Sequence, residues 1–263
     1  MKKIVCIVQA RMESTRLPRK VLKNIVGKPM LWHVIYRLKK SRLIDEIVVA
    51  TTTRDEDKAI VKLAKDSDVE SFAGSDEDVV DRYYHAAITH KADIIVRVTA
   101  DCPLIDPNVV DRVIEYFLKG DFDYVNNTYV GACTDRKLTY PDGLDTEVFS
   151  FDALEKAWKE AKMPSEREHV TSYIWKNPDN FKTGCLKYSE DLSHMRWTVD
   201  YKEDLEFMRQ VFKRLYKEGD VFHMEDVLAL LKEHPELMDI NKGFAKDEGY
   251  FKSLKKDKST KKS

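Results

Sequence analysis

The fold is decided by residues 3–20, KIVCIVQARMESTRLPRK, in which an apolar run leads directly into a cationic loop. The run at residues 3–8 is typical of a strand that is buried on both faces, as in a parallel sheet. The loop that follows, residues 9–20, carries three arginines, a lysine and two small hydroxyl residues. A buried strand that ends in such a loop predicts a ligand site at the end of the first strand.

Strand and helix patterns alternate through the first half of the chain. Such alternation predicts a three-layer α/β fold with a mostly parallel sheet. In these sheets ligands bind beyond the carboxyl ends of the strands. The predicted strands are residues 3–8, 46–51, 69–72, 93–98 and 123–127, and the predicted helices are residues 55–65, 76–90 and 107–118. A further helical stripe is formed by Met30, Leu31, Val34, Ile35 and Leu38.

The second half is less regular, with a turn at residues 141–143 and an alternating run at 146–149. Helices are predicted at residues 152–162, 165–176, 202–217 and 224–233, and strands at 181–188 and 195–199. We predict one domain over residues 1–250, made of halves 1–127 and 128–250. Residues 251–263 are Lys-rich and nearly free of apolar side chains, so a disordered tail is predicted there.

Composition excludes several classes of protein. The chain has 263 residues, 43% hydrophobic and 35% charged, with a formal net charge of −1. This balance is typical of a globular protein and gives no reason to expect nucleic acid or a membrane as a partner. No apolar run approaches the roughly 20 residues of a membrane helix, and no signal-like start is present, so we expect a cytoplasmic protein. The four scattered cysteines are expected to be reduced.

The loop after the first strand matches the chemistry of phosphate. The guanidinium groups of Arg11 and Arg16 can each bind a phosphate through two hydrogen bonds, and the Lys20 ammonium adds a localised positive charge. Ser14, Thr15 and the backbone of the turn add hydrogen-bond donors. The alternative is an ordinary solvated basic loop. The loop fits neither the dinucleotide-binding nor the P-loop motif, so both of those folds are disfavoured.

Two aspartates follow strand-like sequence and are candidate metal ligands. Asp101 comes after the strand at residues 93–98, and Asp200 ends the run at 195–199. An acid beside phosphates is unfavourable unless a divalent cation lies between them, and one or two carboxylates with phosphate oxygens suit Mg²⁺. Alternatively, Asp200 is the N-cap of the next helix, and Asp101 is a turn residue.

A third segment, residues 74–84, is a turn that leads into a helix. Acids near the start of a helix are favoured by its dipole, which explains residues 76–78 without any function. The same reasoning does not explain Arg82.

These motifs together resemble the cytidylyltransferases that make CMP-activated acidic sugars, including the 3-deoxy-octulosonate, sialic, pseudaminic and legionaminic acid enzymes. The resemblance is nearest to the spore coat polysaccharide biosynthesis protein F-type group. It extends in order over about residues 1–233, and ordered motifs are far more specific than any one of them. The motifs are QARMESTRLPRKVL at residues 9–22 with Gly27-Lys28-Pro29 behind it, residues 43–51, 74–83, 99–105 and 141–149, Arg167-Glu168-His169-Val170, and Arg196-Trp197-Thr198-Val199-Asp200.

The resemblance implies a Rossmann-like nucleotide-diphosphosugar-transferase fold, with a nucleotide-binding half, an acceptor half and a smaller acceptor or dimerisation lobe. It implies Mg²⁺ as cofactor and Asp101 and Asp200 as its ligands. The implied catalytic residues are Arg11, Arg16, Lys20 and Asp101. The implied acceptor-binding residues are Asp145, Glu147 and His169, and His169 is equally compatible with an ordinary helix histidine. The expected nucleotide-binding residues are Gln9, Ala10, Arg11, Ser14, Thr15, Lys20, Thr51, Gly74, Asp78, Arg82, Thr99 and Ala100.

The implied activity is transfer of CMP from CTP to an acidic sugar or related acid, with release of pyrophosphate, for surface glycan biosynthesis. CTP and an acidic small molecule are the expected partners, and a homodimer is the expected assembly. One departure concerns residue 19, where the family usually has Gly and this chain has Arg, which suits a positive φ poorly. A glycosyltransferase of related fold and a non-catalytic nucleotide-binding protein are the alternatives, although Asp101-Cys102-Pro103 lacks the second acid of an Asp-x-Asp pair.

Overall fold

The computed structural model describes residues 2–128, 133, 137–244 and 248–260. Most strands and helices lie close to the predicted ranges. The strands are β1 (Ile4–Gln9), β2 (Asn24–Ile25), β3 (Lys28–Pro29), β4 (Glu46–Thr52), β5 (Glu70–Gly74), β6 (Ile94–Thr99), β7 (Tyr124–Asn126), β8 (Glu147–Ser150) and β9 (Thr183–Cys185). The helices are α1 (Met30–Leu38), α2 (Lys58–Asp66), α3 (Val79–Thr89), α4 (Pro107–Lys119), α5 (Phe151–Glu160), α6 (Pro164–Glu168), α7 (Ser172–Lys176), α8 (Lys202–Leu215), α9 (Met224–Glu233) and α10 (Glu248–Thr260).

The main sheet has seven strands in the order β5-β4-β1-β6-β8-β7-β9. Strands β5, β4, β1 and β6 run parallel, and β8 is antiparallel to both of its neighbours. The predicted α/β fold with a mostly parallel sheet is therefore confirmed. Gln9 at the end of β1 is in register with Ala50 and Thr99, so these strands end at one edge.

Helices cover both faces of the sheet, as a three-layer fold requires. Helices α1, α2 and α4 pack on one face through side chains such as Val34, Ile60 and Val113. Helices α3 and α5 cover the other face, with Tyr83 and Leu154 among the buried residues. A third apolar cluster joins α8 and α9 to the 197–199 segment and includes Ile25 and Val109 of the first half.

Two segments of the second half differ from their predicted structure. Residues 165–176 form two short helices, because Val170 has a φ of 44° and interrupts the helical path. Residues 195–199 do not form a strand of the main sheet. Their backbone instead bonds to two loops, with Val199 N donating to Asp101 O at 2.9 Å and Asp142 N donating to Met195 O at 3.1 Å.

The prediction of a disordered tail is wrong for residues 251–260, which belong to helix α10. This helix packs against α6, and its Ser253 is 1% exposed. Composition alone missed it because the lysines of residues 252–258 suggest solvation, whereas docking depends on a few buried contacts from Ser253 and Asp257. Residues 261–263 lie outside the described residues.

The prediction that all cysteines are reduced is wrong for two of them. Cys133 and Cys185 form a disulfide, and they are 52 residues apart in sequence. Spacing gave no sign of this pair, because the sheet places β9 next to β7 and brings the two segments together. Cys6 and Cys102 are free and buried. Within the described residues, no helix is both long and apolar enough to cross a membrane.

Candidate functional site

A cavity of about 340 Å³ opens at the carboxyl edge of β1 and β6. The loop after β1, the loop after β6, the end of α6 and helix α10 form its walls. Most of the predicted site residues line this one cavity. Its lining includes Gln9, Ala10, Arg11, Ser14, Thr15, Arg16, Lys20, Thr99, Ala100, Asp101, His169 and Asp200.

The centre of the cavity is an ion cluster in which Lys20 bridges two aspartates. Its Nζ lies 2.7 Å from Asp101 Oδ2 and 2.8 Å from Asp200 Oδ1. The same ammonium donates to Val199 O at 3.0 Å, and Arg16 Nη2 lies 2.5 Å from Asp200 Oδ1. Two carboxylates from distant parts of the chain therefore share one cation.

The opposite charges of Asp101 and Lys20 shift the pKa of each group toward its ionised form. Burial alone would raise the pKa of Asp101, but the Lys20 charge and hydrogen bonds lower that pKa to about 2. Burial would likewise lower the pKa of Lys20, and the charges of Asp101 and Asp200 raise it instead. Asp101 and Lys20 are therefore both charged at neutral pH.

The cationic loop is held in shape by a buried anchor. Met12 is 2% exposed, and its backbone N–H donates to Asp57 Oδ1 at 2.7 Å. Thr52 bonds to the same carboxylate, and Ser14 Oγ accepts from Leu17 N–H at 3.3 Å. These contacts fix where Arg16 and Lys20 leave the loop.

Arg19 adopts the left-handed backbone conformation, with φ of 57° and ψ of 30°. The position therefore has the positive φ that a glycine accommodates without cost, and this chain places Arg there. Its backbone donates to Met12 O at 3.1 Å and its carbonyl accepts from Leu22 N–H at 3.1 Å. The turn is formed despite the substitution, and Lys20 follows it directly.

Asp200 is not the residue that caps helix α8. Tyr201 occupies the cap position, and the carboxylate of Asp204 accepts from the backbone N–H groups of Asp200 and Tyr201, both at 2.9 Å. Arg196 pairs with Asp204 at 2.9 Å and with Asp200 Oδ2 at 3.3 Å. Asp204 thus supplies the capping chemistry, which leaves the Asp200 carboxylate to face Arg16 and Lys20.

Four of the predicted nucleotide-binding residues do not line the cavity: Thr51, Gly74, Asp78 and Arg82. Asp78 caps α3 by accepting from Asp81 N–H at 2.9 Å. It also accepts from Arg167 Nε at 2.8 Å, so both of its oxygens have protein partners.

Arg82 is 1% exposed and holds the turn before α3. Its Nε donates to Ser75 O at 2.8 Å, and a second nitrogen donates to Asp76 O at 3.1 Å. A Cβ on Gly74 would lie 3.0 Å from the Arg82 side chain and 2.7 Å from Phe72. Thr51 Oγ1 and Arg82 Nη1 are buried without a hydrogen-bond partner among the described residues.

Two of the predicted acceptor-binding residues, Asp145 and Glu147, also lie outside the cavity lining. Asp145 accepts from Thr128 Oγ1 and from Gly143 N–H, both at 2.6 Å, and burial raises its pKa. Glu147 is 5% exposed and accepts at 2.6 Å from Tyr124 Oη and from Thr171 Oγ1. It also forms an ion pair with Arg97.

The third, His169, does line the cavity. Burial is the main reason that its pKa is lowered to about 4, so the ring is neutral at physiological pH. Its Nε2 lies 2.9 Å from Ser253 Oγ.

Sequence reasoning missed several lining residues. Arg97 had a visible signal, because it is a charged residue within the apolar run DIIVRV. Glu168 belongs to the Arg167-Glu168-His169-Val170 motif, in which only His169 has an implied role. The residues of α10 were missed because most of this helix falls in the predicted disordered tail. The missed lining residues are Glu13, Val21, Val79, Arg97, Glu168, Gly249, Lys252, Ser253 and Lys256.

The two carboxylates of the cluster fit a Mg²⁺ ion that is also bound by the phosphates of a substrate. Mg²⁺ is usually held by one or two carboxylates together with substrate phosphates and water. Asp101 and Asp200 supply two carboxylates that already share a cation. Among the described residues no cluster of three or more His, Cys, Asp or Glu side chains that could hold a metal ion is present.

The parallel α/β sheet, with its cationic loop and paired aspartates at the carboxyl edge, is a fold of nucleotidyltransferases. The chain belongs to the cytidylyltransferase family, whose profile matches residues 5–238. The family resemblance inferred from the motifs is thereby confirmed.

Individual relatives support the same family. The spore coat polysaccharide biosynthesis protein SpsF of Bacillus subtilis is 30% identical over 244 residues, which cover 90% of this chain and 97% of that protein. The 3-deoxy-manno-octulosonate cytidylyltransferase of Geobacter metallireducens is 43% identical over 112 residues, 43% of each chain. A solved cytidylyltransferase from Leptospira borgpetersenii has a TM-score of 0.85 at 32% identity and covers 93% of this chain and 100% of that chain.

Proposed function

We propose that the protein is a Mg²⁺-dependent cytidylyltransferase that transfers CMP from CTP to an acidic sugar and releases pyrophosphate. The observation that carries this proposal is the bridge from Lys20 to Asp101 and Asp200 at the carboxyl edge of the sheet. Membership of the cytidylyltransferase family supports CTP as the donor.

The charges of the cluster suit an exchange of partners when the nucleotide binds. In the described structure Arg16 and Lys20 pair with the aspartates. A triphosphate is a stronger partner for these cations, because several charged oxygens converge on them. The two carboxylates are then free to hold Mg²⁺, which would neutralise and polarise the phosphate oxygens.

The chemistry is an in-line substitution at the α-phosphorus of CTP. A hydroxyl oxygen of the acceptor forms the new bond to the α-phosphorus as the bond from that phosphorus to the oxygen of the β-phosphate breaks. Pyrophosphate leaves, and the hydroxyl proton passes to water. Arg11, Arg16 and Lys20 stabilise the charge that develops on the leaving pyrophosphate. Positioning of the two substrates supplies most of the rate enhancement.

The names of two relatives support the proposed acceptor class. These names refer to 3-deoxy-manno-octulosonate and to polysaccharide biosynthesis. We therefore propose an acidic sugar as acceptor and a role in surface glycan biosynthesis. His169 would contact this acceptor as a neutral group.

A matrix screen tests the proposal. Each of the four nucleoside triphosphates is combined with a panel of acidic sugars, phosphonates and hydroxy acids, with Mg²⁺ or EDTA, and pyrophosphate is measured. We expect release with CTP and at least one acidic sugar, and none with EDTA. CTP binding without pyrophosphate release across the panel would favour a non-catalytic protein. Sugar transfer from a nucleotide sugar would favour a glycosyltransferase.

A further inference from the structure

One face of helix α10 lines the cavity, although the helix lies beyond residue 238, where the family match ends. Gly249, Lys252, Ser253 and Lys256 are spaced three or four residues apart, so they share that face. Lys252 and Lys256 thus bring two positive charges to a cavity whose other cations come from the sheet and its loops.

Specific contacts seat the helix on the cavity wall. His169 Nε2 lies 2.9 Å from Ser253 Oγ, and the Ser253 hydroxyl donates to Glu168 Oε2 at 2.8 Å. One turn further on, Asp257 accepts from the backbone N–H and the hydroxyl of Ser165, at 2.8 and 2.6 Å. Because hydrogen bonds of Ser253 and Asp257 hold two successive turns of the helix, the face that carries Lys252 and Lys256 has a defined orientation.

The two residues that the end of α6 contributes to this wall bring no positive charge to it. His169 is neutral because burial lowers its pKa to about 4. Burial would raise the pKa of Glu168, but the Ser253 hydrogen bond and nearby cations lower it, so this side chain is negative. Lys256 Nζ lies 3.5 Å from Glu168 and offsets its charge. No ion pair of Lys252 is found within the described part of the chain.

We propose that Lys252 and Lys256 form a subsite that binds the carboxylate of the acidic acceptor. This inference rests on the proposed cytidylyltransferase function. The triphosphate has its own cations in Arg11, Arg16 and Lys20, which belong to the loop after β1 rather than to the wall of His169. A second anion in the same cavity needs further positive charge, and α10 supplies it.

Steady-state kinetics of two double variants tests the subsite. K252A/K256A removes both cavity lysines, and K255A/K258A removes two exposed lysines of the same helix that do not line the cavity. The probe acids are 3-deoxy-manno-octulosonate and N-acetylneuraminate, each measured beside its methyl ester. Circular dichroism confirms that both variants keep their helical content.

We expect K252A/K256A to raise the KM for the active acid at least tenfold, about 1.4 kcal/mol, with the KM for CTP and kcat changed less than threefold. The KM for the methyl ester should not increase in K252A/K256A, and the KM for the acid should not increase in K255A/K258A. An unchanged KM for the acid in an active enzyme, or an increase confined to the KM for CTP, would overturn the subsite alone. A wild-type enzyme that releases no pyrophosphate with any acid would overturn the proposed function as well.

Discussion

Lys20 Nζ lies 2.7 Å from Oδ2 of Asp101, although the two residues are 81 positions apart in the chain. Each follows a parallel strand of the main sheet, and the sheet edge brings them together. The ammonium between two half-buried carboxylates places a positive charge at the point where a metal and a triphosphate would meet. The distance thus links the strand order of the sheet to the chemistry proposed for the site.

Replacement of Lys20 should affect kcat more than it affects the free energy of unfolding. We expect Lys20→Met to lower kcat for pyrophosphate release by roughly 10²–10³-fold, because a charged contact to the leaving group is worth about 3–4 kcal/mol. Lys28→Met, an exposed lysine outside the cavity, is the matched control. A Lys20→Met enzyme with wild-type kcat would show that the loop after β1 takes no part in catalysis through Lys20.

The backbone of Arg19 gives a stability prediction. A left-handed conformation costs a residue with a Cβ about 1–2 kcal/mol, and part of that cost is offset by the greater freedom of glycine in the unfolded chain. We expect Arg19→Gly to raise the free energy of unfolding in urea by roughly 0.5–1 kcal/mol. Arg19→Ala keeps the Cβ and should give no gain. Equal effects of the two substitutions would mean that φ at this position is not the cause.

Glu147 should behave as part of the buried framework. Its carboxylate pairs with Arg97 and accepts from two hydroxyl groups. Removing one partner of a buried ion pair commonly costs about 3–5 kcal/mol, so we expect Glu147→Gln to lower the free energy of unfolding by roughly that amount. Glu56→Gln, at a half-exposed surface pair, should change it by less than about 1 kcal/mol. A stable Glu147→Gln protein with a raised KM for the acceptor would restore the acceptor-binding role.

His33 makes stability fall in mild acid. Burial is the main reason that its folded-state pKa is lowered from 6.5 to about 4, while its Nε2 donates to Ile25 O at 2.8 Å. The unfolded chain therefore takes up a proton first, and stability present above pH 6.5 is lost as the pH falls toward 4. Between pH 7 and 5 this single group should remove roughly 2 kcal/mol.

His33→Gln, which keeps a donor and does not titrate, isolates that contribution from the parallel effect of His169. Urea unfolding of both proteins at pH 7, 6 and 5 should show the wild type losing stability faster than the variant. Parallel curves would mean that the His33 ring is protonated in the folded state without cost.

The first half of the fold was predictable because its signals are local. Each parallel strand is an apolar run, and the intervening helices show the 3.6-residue period. The helical stripe of Met30, Leu31, Val34, Ile35 and Leu38 thus indicated α1. The proximity of Lys20 and Asp101 followed from the rule that ligand-site residues lie at the carboxyl ends of parallel strands. Asp200 reaches the same place by another route, because residues 195–199 form no strand of the main sheet.

What the sequence did not reveal depends on long-range contacts. Helix α10 is stabilised by its contacts with α6, not by an amphipathic pattern, and the Cys133–Cys185 bond needs the sheet order to bring its ends together. The family motifs marked Asp145 and Glu147 but could not show that their carboxylates are satisfied inside the protein. A motif identifies a residue, whereas its hydrogen-bond partners decide what remains available to a substrate.

The most direct test is a crystal structure with a non-hydrolysable CTP analogue and Mn²⁺, with the metal located by its anomalous signal. We predict a metal peak bonded to Asp101, Asp200 or both, at the roughly 2.0–2.2 Å typical of such ions, with Lys20 Nζ moved onto the phosphates. A nucleotide bound with the metal away from both aspartates, and with the Lys20 bridge intact, would contradict the proposed site.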